Sequence, residues 1–136
     1  MQLNNSTDYA IRIVLYLAKS QSVVSSKKLA KIINVSPRYL LQINSKLREA
    51  GIVSVTYGSN GGIALVRSVS EINLYDIVFL MEGTIRSRQT SVRDQQETEE
   101  LIFLNAAYEY VEGLLEQSLK SITFESLLSQ TEEQWC

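Results

Sequence analysis

The sequence of 136 residues predicts a mostly α-helical protein of the α+β class with one small β-hairpin. Apolar residues recur at helical spacings of three and four along most of the chain. One short stretch is instead rich in alternating β-branched residues and precedes a glycine-rich turn, which is typical of a hairpin. Apolar residues make up 45% of the chain and charged residues 21%, which indicates a globular protein and not a disordered one.

The first predicted helix covers about Thr7 to Lys19. Ser6 or Asn5 can cap it, and Asp8 lies in its first turn, where a negative charge favours the helix dipole. Its apolar surface is wider than one domain core needs, so we expect it to touch a second chain as well. The residues outside the main stripe are Ile11, Leu15 and Tyr16.

Two further helices follow, separated by a short break. The second helix is capped by Ser25 or Ser26 and ends near residue 33. The third begins with Ser36 as N-cap and Pro37 at the first helical position, where a missing amide hydrogen costs nothing. It runs to about Ala50, and the glycine that follows ends it in a left-handed conformation. The predicted buried residues of these two helices are Leu29, Ala30, Ile32, Ile33, Leu40, Ile43, Leu47 and Ala50.

A β-hairpin is predicted after the third helix. Residues 52–57 and 63–66 form its strands, and the glycine-rich residues 58–62 form its turn. A phosphate-binding P-loop would need Gly-Lys-Ser/Thr at its end, which this turn lacks. The glycines are therefore interpreted as turn residues that allow positive φ angles.

The second half predicts one short and one long helix. The fourth helix covers Leu74 to Glu82, with Asn73 as its cap and Gly83 at its end. Residues 84–96 show no apolar periodicity and predict a linker loop. A long helix then covers about residues 97–119, and a short helical turn from Thr123 to Leu128 precedes a polar tail.

The long helix carries an apolar stripe that a small domain with its own core cannot cover. Its members are Leu101, Leu104, Tyr108, Val111, Leu115 and Leu119. We therefore predict that the long helices of two chains pack together. The predicted dimer interface consists of Leu101, Leu104, Tyr108, Val111 and Leu115. The expected organisation is a domain over residues 1–83, a linker at 84–96, and a dimerisation helix with its tail at 97–136.

The net charge of −2 conceals a division between the two halves. Residues 1–68 carry nine basic and two acidic side chains, whereas residues 69–136 carry four basic and thirteen acidic ones. A basic half of this kind suggests a polyanionic partner, the alternative being chance segregation of surface charge.

The composition excludes several kinds of chemistry. With no His and a single Cys, Cys136, the chain lacks the residues for His-based catalysis, Cys–His nucleophiles, His/Cys zinc sites and internal disulfides. We therefore predict no enzyme and no metal site, and we interpret Cys136 as an inert thiol or a partner for an intermolecular disulfide. No apolar run of about 18 residues and no signal peptide is found, so we expect a cytoplasmic protein without a membrane span.

Two short helices joined by a tight break form a helix-turn-helix, and the hairpin makes it a winged helix. The second helix of such a pair enters the major groove of DNA, where Arg can read guanine and Gln can read adenine. Candidate base or phosphate contacts are Ser36, Pro37, Arg38, Tyr39 and Gln42, and candidate phosphate contacts are Lys27, Lys28, Lys31, Lys46 and Arg48. Arg38, Lys46 and Arg48 could instead be solvated surface residues, and Tyr39 could pack beneath the helix.

An ordered set of motifs runs through residues 1–83. It comprises Asp8-Tyr-Ala-Ile-Arg-Ile-Val-Leu-Tyr-Leu-Ala18, Leu29-Ala30, Tyr39-Leu-Leu-Gln42, Leu47, Ala50-Gly-Ile-Val53, Gly58-x-x-Gly61-Gly62, Leu65, Glu71-Ile72 and Glu82-Gly83. In this order the motifs resemble the Rrf2 family of bacterial transcription regulators. The long acidic helix and the Ile122-Thr123 pair after it resemble the dimerisation segment of that family.

The resemblance implies a homodimer that binds double-stranded DNA at a roughly palindromic operator and regulates transcription, most simply as a repressor. It also implies that Ser36–Gln42 read the major groove and that the hairpin, or wing, enters the adjacent minor groove. The wing residues in question are Tyr57, Ser59, Asn60 and Gly61. The alternative is a protein-interaction module that keeps the winged-helix fold without reading DNA.

The chain departs from the family's pattern at two places. Many members carry Arg directly before the first glycine of the wing, where this chain has Tyr57, so the wing is expected to read DNA more weakly or differently. Members that bind an iron–sulfur cluster carry three cysteines after the fourth helix, whereas residues 84–110 contain none, so no cofactor is expected. An unidentified small-molecule effector could bind between the wing domain and the long helix, because clefts at such junctions are common pockets.

Overall fold

A computed structural model describes residues 1–83 and 98–129 of the chain. Over these ranges it contains six helices and one two-stranded antiparallel sheet, which confirms the predicted fold class. The elements are α1 (Asn5–Ser20), α2 (Ser26–Ile33), α3 (Pro37–Glu49), β1 (Val53–Thr56), β2 (Gly62–Leu65), α4 (Leu74–Glu82), α5 (Glu99–Lys120) and α6 (Phe124–Leu128). The predicted linker at 84–96 and the end of the tail with Cys136 lie outside the described residues.

Helix α1 begins two residues earlier than predicted. Its N-cap is Asn4, whose side chain makes no capping hydrogen bond, so the predicted caps Ser6 and Asn5 are wrong. The Asn4 amide instead donates to Glu82 Oε1 at 2.6 Å, and α4 thereby holds the start of α1. Tertiary contact here replaces the local capping that the sequence pattern suggested.

Helices α2 and α3 follow the predicted capping closely. Ser25 Oγ accepts the Lys28 amide at 3.2 Å and caps α2, and Ser36 Oγ accepts the Tyr39 amide at 3.1 Å and caps α3. Gly51 has a φ of +73°, which is the left-handed conformation predicted for the residue that ends α3. The break between the two helices lies between Asn34, the left-handed C-cap of α2, and the Ser36 cap of α3.

The core is shared by α1, α3, the hairpin and the carboxy-terminal segment. Ile13, Leu40 and Phe124 are fully buried, or nearly so, within one cluster. Two predicted core residues are exposed instead. Ile32 lies on the outer side of the two-turn helix α2 and is 44% exposed, while Ala50 is the C-cap of α3 and falls outside the apolar stripe.

The hairpin has a third partner that the sequence analysis missed. The strands β1 and β2 pair from Val53 with Leu65 to Thr56 with Gly62, one residue from the predicted bounds. Val24, just before α2, forms a β-bridge with Ile63 through hydrogen bonds of 2.9 and 2.8 Å. This bridge fixes the hairpin to the start of the helix-turn-helix.

We expect Gly62→Ala to destabilise the protein by about 2 kcal/mol, since overpacking a close-packed site costs roughly 1–3 kcal/mol. A Cβ atom on Gly62 would overlap the backbone of Val24 and Ser25, which the β-bridge holds in place. The matched control is Gly113→Ala in α5, where a Cβ meets nothing within 4 Å. That substitution should raise stability by about 0.5–1 kcal/mol. Urea unfolding followed by circular dichroism measures both, and a Gly62→Ala midpoint equal to that of the parent protein would contradict the close approach.

The end of α5 docks onto α4, and the short helix α6 lies against α1 and the segment that precedes α4. The Leu74 amide donates to the Ile122 carbonyl and the Phe124 amide to the Ile72 carbonyl, both at 2.9 Å. Thr123 caps α6, as predicted, through the Ser126 amide at 3.0 Å. The long helix is thus attached to the first domain at its carboxyl end.

A polar cluster strengthens this attachment. Lys120 Nζ lies 2.8 Å from Glu116 Oε1 and 4.7 Å from the centroid of the Tyr75 ring. Partial burial raises the pKa of Tyr75, and the neighbouring Glu116 carboxylate raises it further. The ion pair with Lys120 lowers the pKa of Glu116, so the pair stays charged at neutral pH and joins α4 to α5.

Candidate nucleic-acid interface

The outer side of α3 presents the residues predicted to meet DNA. Pro37, Arg38, Gln42 and Lys46 are all exposed, whereas the opposite side of the helix is buried in the core. Arg38 and Gln42 are four residues apart and therefore lie on neighbouring turns of one face. The structure thus brings the two proposed base-reading side chains together near the amino end of the helix.

The backbone at the start of α3 offers less than the sequence suggested. Pro37 has no amide hydrogen, and the Tyr39 amide is taken by the Ser36 side chain at 3.1 Å. Of these first three helical positions, only the Arg38 amide has no acceptor within the described residues. Ser36 therefore acts first as a cap, and a phosphate at this helix end would meet one amide and the Arg38 side chain.

The structure favours the packing interpretation of Tyr39. Its ring is half-buried and meets the Tyr9 ring of α1 edge-on, with centroids 5.8 Å apart and planes at 87°. Such a pair contributes stability beyond its buried area. Tyr39 thereby holds the amino end of α3 against α1 and positions Arg38 beside it.

Helix α2 presents a row of exposed cations. Lys27, Lys28 and Lys31 are exposed, and none of them forms an ion pair with a residue in the described ranges. Uncompensated cations of this kind can neutralise phosphates along a DNA backbone. Basic charge is therefore available on α2 as well as on the exposed side of α3.

The wing carries an unexpected link to α3. Tyr57 is 80% exposed, and its hydroxyl accepts a hydrogen bond from Arg48 Nη1 at 3.2 Å. This places the Arg48 guanidinium beside Tyr57, the position at which many members of the family described above carry Arg. No local sequence signal predicts the contact, because the two residues belong to different elements and only the fold brings them together.

The tip of the wing is a tight glycine turn. Gly58 has a φ of +107° and its carbonyl accepts the Gly61 amide at 3.1 Å. A Cβ atom on Gly61 would overlap the Thr56 carbonyl. Ser59 and Asn60 are consequently presented at the exposed tip, as the proposed wing contacts require.

The long helix leaves most of its apolar surface uncovered. Of the predicted stripe, Leu119 is buried, Leu104 and Val111 are exposed, and the other members, Leu101, Tyr108 and Leu115, are half-buried. Four large exposed residues of α5 lie outside the predicted stripe: Ile102, Phe103, Tyr110 and Leu114. The last three, with Ala107, follow a 4-3-4 spacing, a signal that was present in the sequence alongside the predicted stripe.

Comparison with known proteins establishes the family. The profile of Rrf2, described as iron-dependent transcriptional regulators, matches residues 3–130. The chain belongs to the Rrf2 family. Since this is a family of transcription regulators, the match agrees with the prediction that the chain is not an enzyme.

Two relatives match a part of this Rrf2-family chain. The transcriptional regulator NsrR of Halalkalibacterium halodurans is 38% identical over 87 residues, which cover 62% of this chain and 60% of the relative. Protein aau3 of Rhizobium meliloti is 37% identical over 85 residues, covering 62% and 55%. The match thus spans about 60% or less of the length of these two proteins.

Solved structures of two regulators match along nearly the whole length. The structure of T. potens IscR has a TM-score of 0.75 and 25% identity, and covers 100% of this chain and 92% of that protein. That of CymR, the global cysteine regulator of B. subtilis, has a TM-score of 0.80 and 28% identity, covering 97% and 99%. Both similarities include α5 and α6 as well as the winged helix.

The donor atoms of this Rrf2-family chain do not fit an iron–sulfur cluster. Such a cluster is held by several thiolates or imidazoles, and the sequence contains one Cys and no His. No group of three or more His, Cys, Asp or Glu side chains suited to a metal occurs within residues 1–83 and 98–129. Over the same residues, no helix is long and apolar enough to cross a membrane.

Proposed function

We propose that this chain is a sequence-specific DNA-binding transcription regulator that acts as a homodimeric repressor at a palindromic operator in the cytoplasm. The observation that carries the proposal is the exposed side of α3, where Arg38 and Gln42 lie on one face. Helix α2, which packs against α3, adds three exposed lysines without an ion pair among the described residues. In this assignment residues 1–83 bind DNA. A dimer seated on a promoter would repress by excluding other proteins from it.

The proposed homodimer rests on the uncovered apolar face of α5. Its carboxyl end is held by α4 and α6, while Phe103 and Tyr110 are 64% and 68% exposed. Contiguous exposed apolar surface of this kind marks an interaction site. Pairing through residues 97–136 would set the two α3 helices about 34 Å apart, one turn of DNA or a multiple of it.

The proposed small-molecule effector would bind at the junction of the winged helix and α5. A small molecule bound between the wing domain and α5 would lie near Tyr75, Glu116 and Lys120, which join the two parts. Binding there could alter the spacing of the two α3 helices and hence DNA affinity.

We expect Arg38→Ala to weaken operator binding about 5- to 150-fold per half-site and to relax the preference at one base pair. A bidentate Arg–guanine contact contributes about 1–3 kcal/mol to discrimination. The matched control is Lys28→Ala, which removes an exposed cation of α2 and should weaken all sequences alike. Fluorescence anisotropy with operators substituted at single positions measures both effects. An unchanged base preference in Arg38→Ala would show that this helix end does not read the bases.

The second candidate is a protein-interaction module that has kept the winged-helix fold. It is favoured by Tyr57, which stands where many family members carry Arg, and by the acidic second half of the chain. A gel shift with random and genomic fragments at moderate salt separates the two. Retarded complexes with some fragments and not others support the DNA regulator, and no complex with any fragment supports the interaction module.

A further inference from the structure

Leu41 is an exposed apolar residue on the proposed DNA-reading side of α3. Its side chain is 63% exposed. The nearby Leu40 and Ile43, which belong to the buried stripe of α3, are at most 2% exposed. It lies one turn beyond Pro37 and three residues after Arg38, in the same amino-terminal half of the helix. An apolar side chain thus interrupts a surface that is otherwise polar and basic.

A concave apolar surface adjoins Leu41. A cavity of about 120 Å³ lies between α3, the start of α2 and the hairpin. Its lining consists of Ser26, Pro37, Leu40, Leu41, Asn44, Val55 and Ile63. Since most of these side chains are apolar, Leu41 and Pro37 form the exposed border of a larger apolar surface.

Few polar groups reach this border. The Asn44 side chain lies in the buried part of the lining, where its Oδ1 has no hydrogen-bond partner among the described residues. Ser45, one turn after Leu41, donates its hydroxyl to the Leu41 carbonyl at 2.9 Å. Ser36, just before Pro37, uses its hydroxyl to cap the helix. The Ser45 hydroxyl hydrogen is therefore taken, whereas the Ser36 hydroxyl accepts a bond and keeps its hydrogen. At the border itself Pro37 and Leu41 present side-chain carbon atoms only, which favours an apolar contact there.

The size and charge of the surroundings indicate the occupant. One exposed leucine and one proline make a patch far smaller than the several hundred Å² that a protein partner would cover. The surrounding cations of α2 and α3 favour a polyanion. In the major groove, the 5-methyl group of thymine is the apolar group that base pairs present.

We propose that Leu41 and Pro37 form an apolar subsite for the 5-methyl group of one thymine in each operator half-site. This inference rests on the proposed function, in which α3 enters the major groove, and adds to it the identity of one base. The cavity behind the two residues allows Leu41 to adjust and enclose the methyl group. Leu41 is therefore a specificity-determining residue that the sequence analysis did not select.

The test uses an operator obtained by in vitro selection from random DNA. Each thymine is replaced in turn by deoxyuridine, which removes only the methyl group. We expect one position per half-site at which the replacement weakens binding about four-fold, the effect of one buried methyl-sized group. Leu41→Ala should bind the thymine operator correspondingly more weakly and should no longer distinguish thymine from deoxyuridine there.

Val66→Ala is the matched control, because Val66 is similarly exposed and lies outside both α3 and the cavity lining. It should keep the thymine preference of the parent protein. If an operator is selected but deoxyuridine has no effect, or Leu41→Ala keeps the full preference, the subsite is wrong and the proposed function stands. If no sequence is enriched, the proposed function fails and the subsite fails with it.

Discussion

Replacing both Leu104 and Val111 with Glu is expected to convert the dimer to a monomer and to lower operator affinity about 10²- to 10⁴-fold. In a dimer the second half-site is bound at a high effective concentration, and a monomer loses that gain entirely. The dimer interface, or seam, between the two α5 helices should bury about 2,000 Å² or more, as obligate interfaces do. Two carboxylates per chain in such a seam would each cost several kcal/mol of desolvation.

The fold of the single chain should tolerate this double substitution. Leu104 and Val111 are 43% and 54% exposed in the isolated chain, so glutamates at these positions remain solvated in a monomer. Helix α5 is attached through its carboxyl end, which neither substitution touches. The expected product is therefore a folded monomer that still binds a single half-site weakly.

The matched control is Ile102→Glu, which adds a carboxylate to the same helix. Ile102 is exposed, and at 100° per residue it lies on the opposite side of α5 from Leu104 and Val111. This control should remain a dimer with nearly unchanged operator affinity. Sedimentation velocity at micromolar concentration measures both proteins, and a monomeric parent protein would contradict the proposed architecture.

The sequence predicted the fold well because the element boundaries are set by local chemistry. Ser25, Ser36 and Asn73 each cap a helix as expected, since the bond from a cap side chain to a backbone amide three residues on is local. The start of α1 could not be predicted in this way, because it is set by the distant carboxylate of Glu82. The bridge of Val24 to the hairpin is likewise a tertiary contact without a local signal.

The candidate site was predicted in part. Arg38 and Gln42 were found because position on a recognition helix follows from periodicity alone. The contact between Arg48 and Tyr57 depends on how the hairpin packs beside α3, which periodicity does not describe. The exposure of Leu41 could have been predicted, because Leu41 falls outside the stripe formed by Leu40, Ile43 and Leu47. In α5 the sequence offered two overlapping apolar patterns, and only the docking of its carboxyl end indicates which residues stay uncovered.

The affinity for DNA is expected to fall about 10³- to 10⁴-fold when salt rises from about 50 to 200 mM. This corresponds to a dimer that contacts about six to eight phosphates, since the slope of log affinity against log salt is about −0.9 per phosphate neutralised. The exposed cations of α2 and α3 supply enough contacts for this number.

Lys28→Ala should make the slope shallower by about two per dimer, because it removes one contact from each chain. The matched control is Lys120→Ala in α5, whose ammonium is paired with Glu116 near Tyr75 and not with DNA, so its slope should equal that of the parent protein. Fluorescence anisotropy across a salt series measures all three slopes, and a slope near zero would mean that the basic half of the chain does not meet the phosphates.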